Sequence, residues 1–296
     1  MQNYNFIEFK KERDLGAIIN DTFKFIRENW KPYFGAIIKI AGPFILIGSI
    51  LMVLFFSYYL GVVGEVAGMN QSSNPDDVFG LIGPMFGWIG LLAIVLILVF
   101  IIVSLTSLFY IKSYISNDGN VNFDDVKSNT FQNIWKYLGL GILVALMIGF
   151  GLILCYLPGI YLWVVLSLST SIMVFENKSV GDSISHSFTL IKGQWWNTFG
   201  VLLVIGILVN ILGYAFSVPA LLYQLIGQGT MLGSDDPTEV FNIFKDPIYI
   251  GLNVLSYIGK FVLSSITLIS AVFIYYDLNE QKNLTGTIEK IDSLGQ

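Results

Sequence analysis

The sequence predicts an all-α polytopic membrane protein with six transmembrane helices. Of its 296 residues, 54% are hydrophobic and only 12% are charged, whereas about 25% of the residues in a soluble globular domain are charged. Six apolar runs supply the roughly 20 helical residues that cross the hydrocarbon core of a bilayer. Apolar and polar residues do not alternate within runs such as 91–103, which argues against a membrane β-barrel. The six runs begin near Phe34, Gly87, Tyr137, Gly159, Phe199 and Ile248.

One segment of the sequence occurs twice. Residues 14–35 return as residues 179–200 with the same glycine, phenylalanine and tryptophan landmarks, and an internal repeat indicates a repeated structural unit. Each copy has apolar residues at helical spacing and a cation near its end, and each leads into an apolar run. This pattern predicts a cytoplasmic interfacial amphipathic helix that feeds a span. In the first copy the apolar stripe comprises Leu15, Ile18, Ile19, Phe23, Ile26 and Trp30.

A shortened third copy lies between the other two. It starts at Asn122 and reaches Trp135 about three residues early. The unit is then one interfacial helix followed by one two-span hairpin, repeated three times within a single membrane domain of residues 1–296. We predict an N-cap at Asp14, Asn122 and Ser179, because each side chain can accept from the free amides of a first helical turn. The predicted repeats are 14–116, 121–177 and 178–278, followed by a polar cytoplasmic tail, 279–296.

Aromatic side chains mark where each interfacial helix meets the bilayer, since indole rings favour the boundary between lipid and water. The same stripe on an isolated helix would fit the buried face of a soluble protein, but here each copy adjoins a span. Whether these helices contact lipid or dock on a partner is left open. The predicted interfacial anchors are Phe23, Trp30, Trp135, Phe188, Trp195 and Trp196.

The distribution of charge predicts the orientation. The loop 61–86 contains acidic residues and no lysine or arginine, and the loop after the fifth span carries Asp235, Asp236, Glu239 and Asp246 against one lysine. Nearly all other cations fall on the opposite side, which the positive-inside rule assigns to the cytoplasm. Both termini are therefore predicted to be cytoplasmic, and the first span is expected to direct insertion without a cleaved signal peptide.

The side chains present exclude most enzyme classes. With one histidine, His186, and one cysteine, Cys155, no two-histidine metal site, no Ser-His-Asp triad and no Cys-His pair can be assembled, so we expect no enzyme and no cofactor. His186 is expected on the surface. The net charge of −5 comes largely from the predicted outer loops, and no basic cluster with interleaved aromatics indicates nucleic-acid binding.

Lys260 is the strongest candidate for a functional residue. It falls near the middle of the sixth span, with Asn253 two turns earlier and Asn210 inside the fifth span. A charge within the bilayer is tolerated mainly when it faces a bundle interior or a wet cavity. The candidate internal polar site is therefore Lys260, Asn210 and Asn253, either as an anion or head-group site or as structural hydrogen bonding. An intramembrane serine-lysine enzyme would need a nucleophile beside Lys260.

The stretch SVGDSISHSFTLIKGQWWNTFG, preceded by LPGIYLWVVLSLSTSIMVFENKS, resembles the six-span membrane domains attached to some bacterial glycerophosphodiester phosphodiesterases. The likeness is strongest over about residues 155–200. The phosphodiesterase catalytic domain is absent from this sequence, so that activity does not carry over. The resemblance implies a multi-pass protein of the bacterial inner membrane, in which Glu176 pairs with a basic residue at the cytoplasmic mouth of the bundle.

Two functional hypotheses follow. The first is a non-enzymatic scaffold or accessory subunit that serves a membrane-associated partner or lipid, with the bilayer, a membrane protein or a second copy of the chain as partner. The alternative is a transporter or lipid-handling protein with an internal site near Lys260. A wet cavity near Lys260 would favour the alternative, and a dry bundle with Lys260 bound to carbonyl groups would favour the scaffold.

Overall fold

The computed structural model of the chain describes residues 6–67, 75–231, 243 and 246–294. These residues form helices and connecting turns, and none of them lies in a strand. The all-α prediction is confirmed for this part of the chain. The helices are α1 (Leu15–Ala67), α2 (Pro75–Ser116), α3 (Phe123–Gln132), α4 (Ile134–Leu154), α5 (Tyr156–Leu166), α6 (Ser169–Phe175), α7 (Val180–Ile191), α8 (Trp195–Met231), α9 (Pro247–Asn283) and α10 (Thr285–Leu294).

Six segments within the described residues are long and apolar enough to cross a membrane, as the sequence predicts, and the chain is a multi-pass membrane protein. The fourth of them combines α5 and α6. The three-hairpin arrangement, the interfacial helices and the orientation of the termini stay predictions. The six segments are Leu15–Val66, Phe79–Ser116, Ile134–Leu154, Tyr156–Phe175, Trp195–Gly227 and Pro247–Asn283.

The expectation of a separate amphipathic helix ahead of each span is wrong for the first copy. There the segment and the span form one continuous helix, α1. In the third copy, α7 and α8 are separated at Gly193, whose φ of 86° lies in the left-handed region that favours glycine. The matching residue in the first copy is Glu28, which continues the helix because its side chain disfavours that conformation.

The three predicted N-caps are confirmed. The Asp14 carboxylate accepts a hydrogen bond from the amide of Ala17 at 2.6 Å. The Asn122 side chain accepts from the first turn of α3, and the Ser179 hydroxyl accepts from the first turn of α7. Each cap satisfies an amide that has no partner inside its own helix.

One equivalent position in each of the three copies is buried in the same way. This position is next to a residue of the predicted apolar stripe. A small hydroxyl residue at this place is fully buried and donates to a carbonyl about one turn earlier. In the first copy the stripe residues Leu15 and Trp30 stay exposed, whereas Ile18 is buried. The face of each segment that packs against the rest of the protein therefore includes a polar residue. The three hydroxyl residues are Thr22, Thr130 and Ser187.

The chain divides into two compact units. Unit 1 contains Met1–Ile40, Ile101–Val209 and Ser264–Gln296, and therefore all of α3 to α7 and α10. Unit 2 contains Ala41–Phe100 and Asn210–Leu263, and almost all of its described residues belong to the four longest helices.

The core of unit 1 is built around Phe9, which is 1% exposed. Its ring stacks on Phe273 of α9 at a centroid distance of 4.3 Å and meets the rings of Phe25 and Tyr114 edge to face. Aromatic pairs in these geometries stabilise a core beyond the area that they bury. The segment that precedes α1 thereby packs against α1, α2 and α9.

Arg13 holds the same segment to the end of α9. Its buried guanidinium lies 4.7 Å from the Phe273 ring centroid and donates to Asp21 at 2.9 Å, and it also donates to the carbonyl oxygens of Phe9, Lys11 and Glu8. Burial lowers the pKa of Arg13, although Asp21 acts in the opposite direction. The side chain stays charged, since arginine does not deprotonate in proteins.

The predicted polar tail after residue 278 is not a separate segment in the described part. Helix α9 continues to Asn283, and Glu280 is 3% exposed. The Glu280 carboxylate accepts from the amides of Gly286 and Thr287 at 2.7 and 2.8 Å, so it caps the first turn of α10. The tail is held to unit 1 because its first residues supply this cap.

We predict that Phe9→Ala destabilises the protein by about 3–5 kcal/mol, because the change removes a fully packed aromatic ring from the core of unit 1. Thermal unfolding in detergent should show a lower midpoint for this variant. The matched control is Phe6→Ala, since Phe6 is 40% exposed and contacts Tyr114 alone among the described rings. Equal losses in the two variants would contradict the assigned core.

Candidate functional site

Lys260 lies in the part of α9 that belongs to unit 2, and its side chain is partly buried. The Nζ atom is 5.6 Å from the ring centroid of Tyr257 and 5.8 Å from that of Tyr214 on α8. Its aliphatic stem passes Gly213, where an added Cβ would lie 3.5 Å from the Lys260 Cγ. Two aromatic rings therefore flank the ammonium group.

The charge of Lys260 is not balanced by a carboxylate within the described part of unit 2. It is the only lysine or arginine there, and no described Asp or Glu lies within 4.0 Å of its Nζ atom. A charge at the bilayer centre costs at least about 2.5–3.5 kcal/mol, while an exposed cation–π contact returns about 0.5–1 kcal/mol. Cation–π contacts near the 6 Å distance limit therefore offset only part of the free-energy cost of this charge.

The other two predicted members of the internal site, Asn253 and Asn210, do not line the same cavity. Asn253 donates from its side-chain amide to the carbonyl of Tyr249 at 2.9 Å and faces a cavity. Asn210 is exposed on α8 and is not among the residues that line this cavity. Tyr214, one turn further along α8, takes the place beside Lys260 that the sequence suggested for Asn210.

A cavity of about 300 Å³ adjoins this part of α9; its lining is mostly apolar but includes several polar groups, and we call it the polar cavity. Its volume falls at the lower end of the range for small-molecule sites. The amide groups of Gln224 and Asn253, the Ser57 hydroxyl and tyrosine side chains supply polar atoms among apolar neighbours. The lining residues are Val53, Phe56, Ser57, Tyr59 and Leu60 of α1, Gln224 of α8, and Tyr249, Asn253 and Tyr257 of α9.

Hydrogen bonds fix the end of this polar cavity. The Tyr249 hydroxyl donates to the Gln224 side-chain oxygen at 3.3 Å, and the Tyr223 hydroxyl donates to Asp246 at 3.0 Å. The Asp246 carboxylate also accepts from the amide of Ile248 at 2.7 Å and so caps α9. Helices α8 and α9 are linked at this end of unit 2.

A second, apolar cavity of about 400 Å³ borders the polar one. The two share Tyr59 of α1 as a lining residue. The remaining lining of the apolar cavity is wholly aliphatic or thioether. These residues are Val62, Val63 and Val66 of α1, with Ile82 and Met85 of α2.

A close contact joins α8 and α9 within unit 2. The buried Ser256 hydroxyl donates to the carbonyl of Phe216 at 2.6 Å. At Gly259, an added Cβ would lie 2.4 Å from the Phe216 ring, so only glycine permits the approach. Ser256, four residues before Lys260 on α9, thus bonds to backbone carbonyls, which is not the arrangement that a serine-lysine enzyme would require of this serine.

Glu176 belongs to a different cluster, in unit 1. Its carboxylate pairs with Lys178 at 2.7 Å and with His186 at 3.0 Å, and it accepts from the Tyr275 hydroxyl at 3.0 Å. Glu176 thus has a basic partner in Lys178, and the cytoplasmic mouth that the resemblance implied for such a pair stays a prediction. His186 is not on the open surface as expected, because its side chain is only 21% exposed against this carboxylate.

The predicted interfacial anchors differ in exposure. Trp135 and Trp196 are 80% and 76% exposed at the starts of α4 and α8, and Trp30 is 54% exposed. Phe23 and Phe188 are partly exposed. Trp195 is partly buried, stacks on Phe199 and donates its indole N–H to the carbonyl of Tyr161 at 3.3 Å. Their location at a membrane surface stays a prediction.

Sequence reasoning did not single out Ser57, Tyr59 or Gln224, which line the polar cavity. Ser57 and Gln224 are polar residues inside apolar runs, a signal that could have been read beside Lys260. The acidic residues Asp235, Asp236 and Glu239, which were assigned to an outer loop, lie outside the described residues.

We predict that Gly259→Ala lowers the thermal stability of the protein, because the new methyl group would overlap the Phe216 ring and overpacking a close contact costs about 1–3 kcal/mol. Gly251→Ala is the matched control, since a Cβ at Gly251 on the same helix meets open space. The unfolding midpoint in detergent should fall for the first variant only. A tolerated Gly259→Ala would show that α8 and α9 are not held at this distance.

Comparison with known proteins identifies one family. The sequence model of a domain of unknown function, DUF7847, matches residues 131–278, which is half of the chain. The match begins in α3, ends in α9 and includes the Lys260 segment of unit 2. No curated protein and no solved structure gives a significant match, and the likeness to phosphodiesterase membrane domains stays a prediction. The chain belongs to the DUF7847 family.

Proposed function

We propose that this protein is a lipid-handling protein of the bacterial inner membrane, which binds an amphiphile in unit 2. The observation that carries the proposal is the pair of cavities that share Tyr59, one polar and one apolar. A ligand with a polar head and a hydrocarbon chain matches this division. Their volumes of about 300 and 400 Å³ are in the range of known ligand sites.

The lining supports one orientation of the ligand. The head group lies among Ser57, Gln224 and Asn253, where amide and hydroxyl groups can replace water as hydrogen-bond partners. The hydrocarbon chain lies against the valines of α1 and Met85 of α2. Methionine adapts to ligands of varied shape, so this end suits chains that differ in length.

The bilayer itself would supply such a ligand. All lining residues of both cavities belong to segments that can span a membrane. With both termini in the cytoplasm, as the positive-inside rule predicts, the Asp246 end of α9 is at the outer face. The ligand would then come from the outer leaflet of the inner membrane.

The scaffold or accessory-subunit hypothesis remains as a second candidate. It is favoured by Trp135 and Trp196, which are far more exposed than most tryptophans in a folded protein. These rings can anchor unit 1 at the cytoplasmic surface or contact a partner. Chemical cross-linking in intact membranes tests this role, since a stoichiometric protein partner that is lost on Trp135→Ala would support it over autonomous lipid handling.

We predict that Val63→Trp abolishes retention of phospholipid by the purified protein, because the indole ring fills the apolar cavity that Val63 lines. Bound lipid is measured by mass spectrometry after extensive washing in detergent. Leu54→Trp is the matched control, since Leu54 is an exposed residue of α1 that lines neither cavity.

Asn253→Leu provides a second variant of similar branched shape, which removes the polar group from the head-group end. Both cavity variants should release lipid while their unfolding midpoints stay measurable. Wild-type protein that retains no lipid, or folded cavity variants that retain as much as wild type, would contradict the proposed function.

A further inference from the structure

We propose that the amphiphile bound by unit 2 carries an anionic head group, and that Lys260 is the residue that receives it. This inference rests on the proposed function and adds the chemical class of the ligand. Its basis is the position of the only described cation of unit 2 next to the polar cavity.

The spacing along α9 places Lys260 on the cavity face. Tyr249, Asn253 and Tyr257 line the polar cavity and follow each other at four-residue intervals. Lys260 comes three residues after Tyr257, and residues three or four apart lie on the same side of a helix. The Lys260 Nζ atom is 5.6 Å from the Tyr257 ring, which itself lines the cavity. Lys260 is not itself among the lining residues, and its ammonium group lies beside the Tyr257 ring, within reach of a head group that extends past this ring.

No protein carboxylate of the described residues occupies this position. The acidic residue on the same helix within unit 2 is Asp246, which is about 21 Å away along the helix axis. Its carboxylate accepts from Tyr223 and from amides of its own first turn. The Lys260 ammonium has three donors, and the aromatic faces beside it accept no conventional hydrogen bond, so anionic oxygen atoms can complete its coordination.

The neighbouring groups suit an anion with further polar atoms. The Asn253 amide nitrogen donates to Tyr249, which leaves the Asn253 oxygen to accept from a head-group hydroxyl. Tyr257 presents a phenol group at the same cavity. A compact ammonium recognises charge rather than the planar geometry that an arginine would select. The ligand class is therefore an acyl-chain lipid with one negative group, either a phosphodiester or a carboxylate.

The test uses the purified full chain in dodecyl maltoside. It is titrated with phosphatidylglycerol and with phosphatidylcholine of identical acyl chains, and bound lipid is counted by native mass spectrometry. Wild type should bind phosphatidylglycerol about tenfold more tightly, as expected for a hydrogen bond to a charged group. Lys260→Met should bind the two lipids equally and keep its affinity for phosphatidylcholine, while Lys260→Arg should keep a preference for the anionic lipid.

Lys39→Met is the matched control. Lys39 is an exposed helix lysine whose Nζ lies 5.6 Å from the Phe123 ring in unit 1, so its loss should leave the preference unchanged. Competition with oleate separates the two sources of negative charge. Displacement of phosphatidylglycerol by oleate supports a carboxylate ligand, and failure to displace it supports a phosphodiester.

The inference is overturned if wild type binds both lipids equally, or if Lys260→Met keeps the tenfold preference. Equal binding of both lipids by wild type would leave the cavity proposal intact and remove only the anionic class. Absence of binding by either lipid would instead overturn the proposed function itself.

Discussion

A polar group on a helix that crosses hydrocarbon has no water to bond with, so it must find a partner within the protein. Several polar side chains of the long helices meet this constraint locally. Thr22, Ser107 and Asn253 all donate to a carbonyl one turn earlier on their own helix. Ser256 does the same and also bonds to α8. Helix packing can then use polar faces at little cost.

Charged groups need more than a single carbonyl, and the two units meet that need differently. In unit 1, Arg13 is surrounded by Asp21 and three carbonyl groups, and Glu176 is surrounded by Lys178, His186 and Tyr275. These clusters satisfy their own members and fit a structural role. Lys260 in unit 2 has aromatic rings instead of a carboxylate among its described neighbours. That difference is why we propose Lys260, rather than the other buried charges, as the ligand-binding residue.

Local sequence signals predicted those features that depend on neighbouring residues. The caps at Asp14, Asn122 and Ser179 follow from one side chain and the next turn of the chain. The repeat was less complete as a guide, because its first copy has Glu28 where the third has Gly193. The helix ends before Gly193, which adopts a left-handed φ, and continues through Glu28. The apolar stripe also did not identify the buried face of this segment, because that face contains the polar residue Thr22.

The amino-acid sequence alone was enough to predict an α-helical, multi-pass membrane protein, because hydrophobic length and helix capping are properties of consecutive residues. It also identified Lys260 as unusual, since a lysine inside an apolar run is costly wherever the helix packs. What surrounds Lys260 depends on tertiary structure. The cavity wall joins Ser57, Gln224 and Asn253 from three helices, and the close approach of Gly259 to Phe216 brings α9 against α8. Those relations depend on side-chain packing between distant segments, which residue spacing along one helix does not specify.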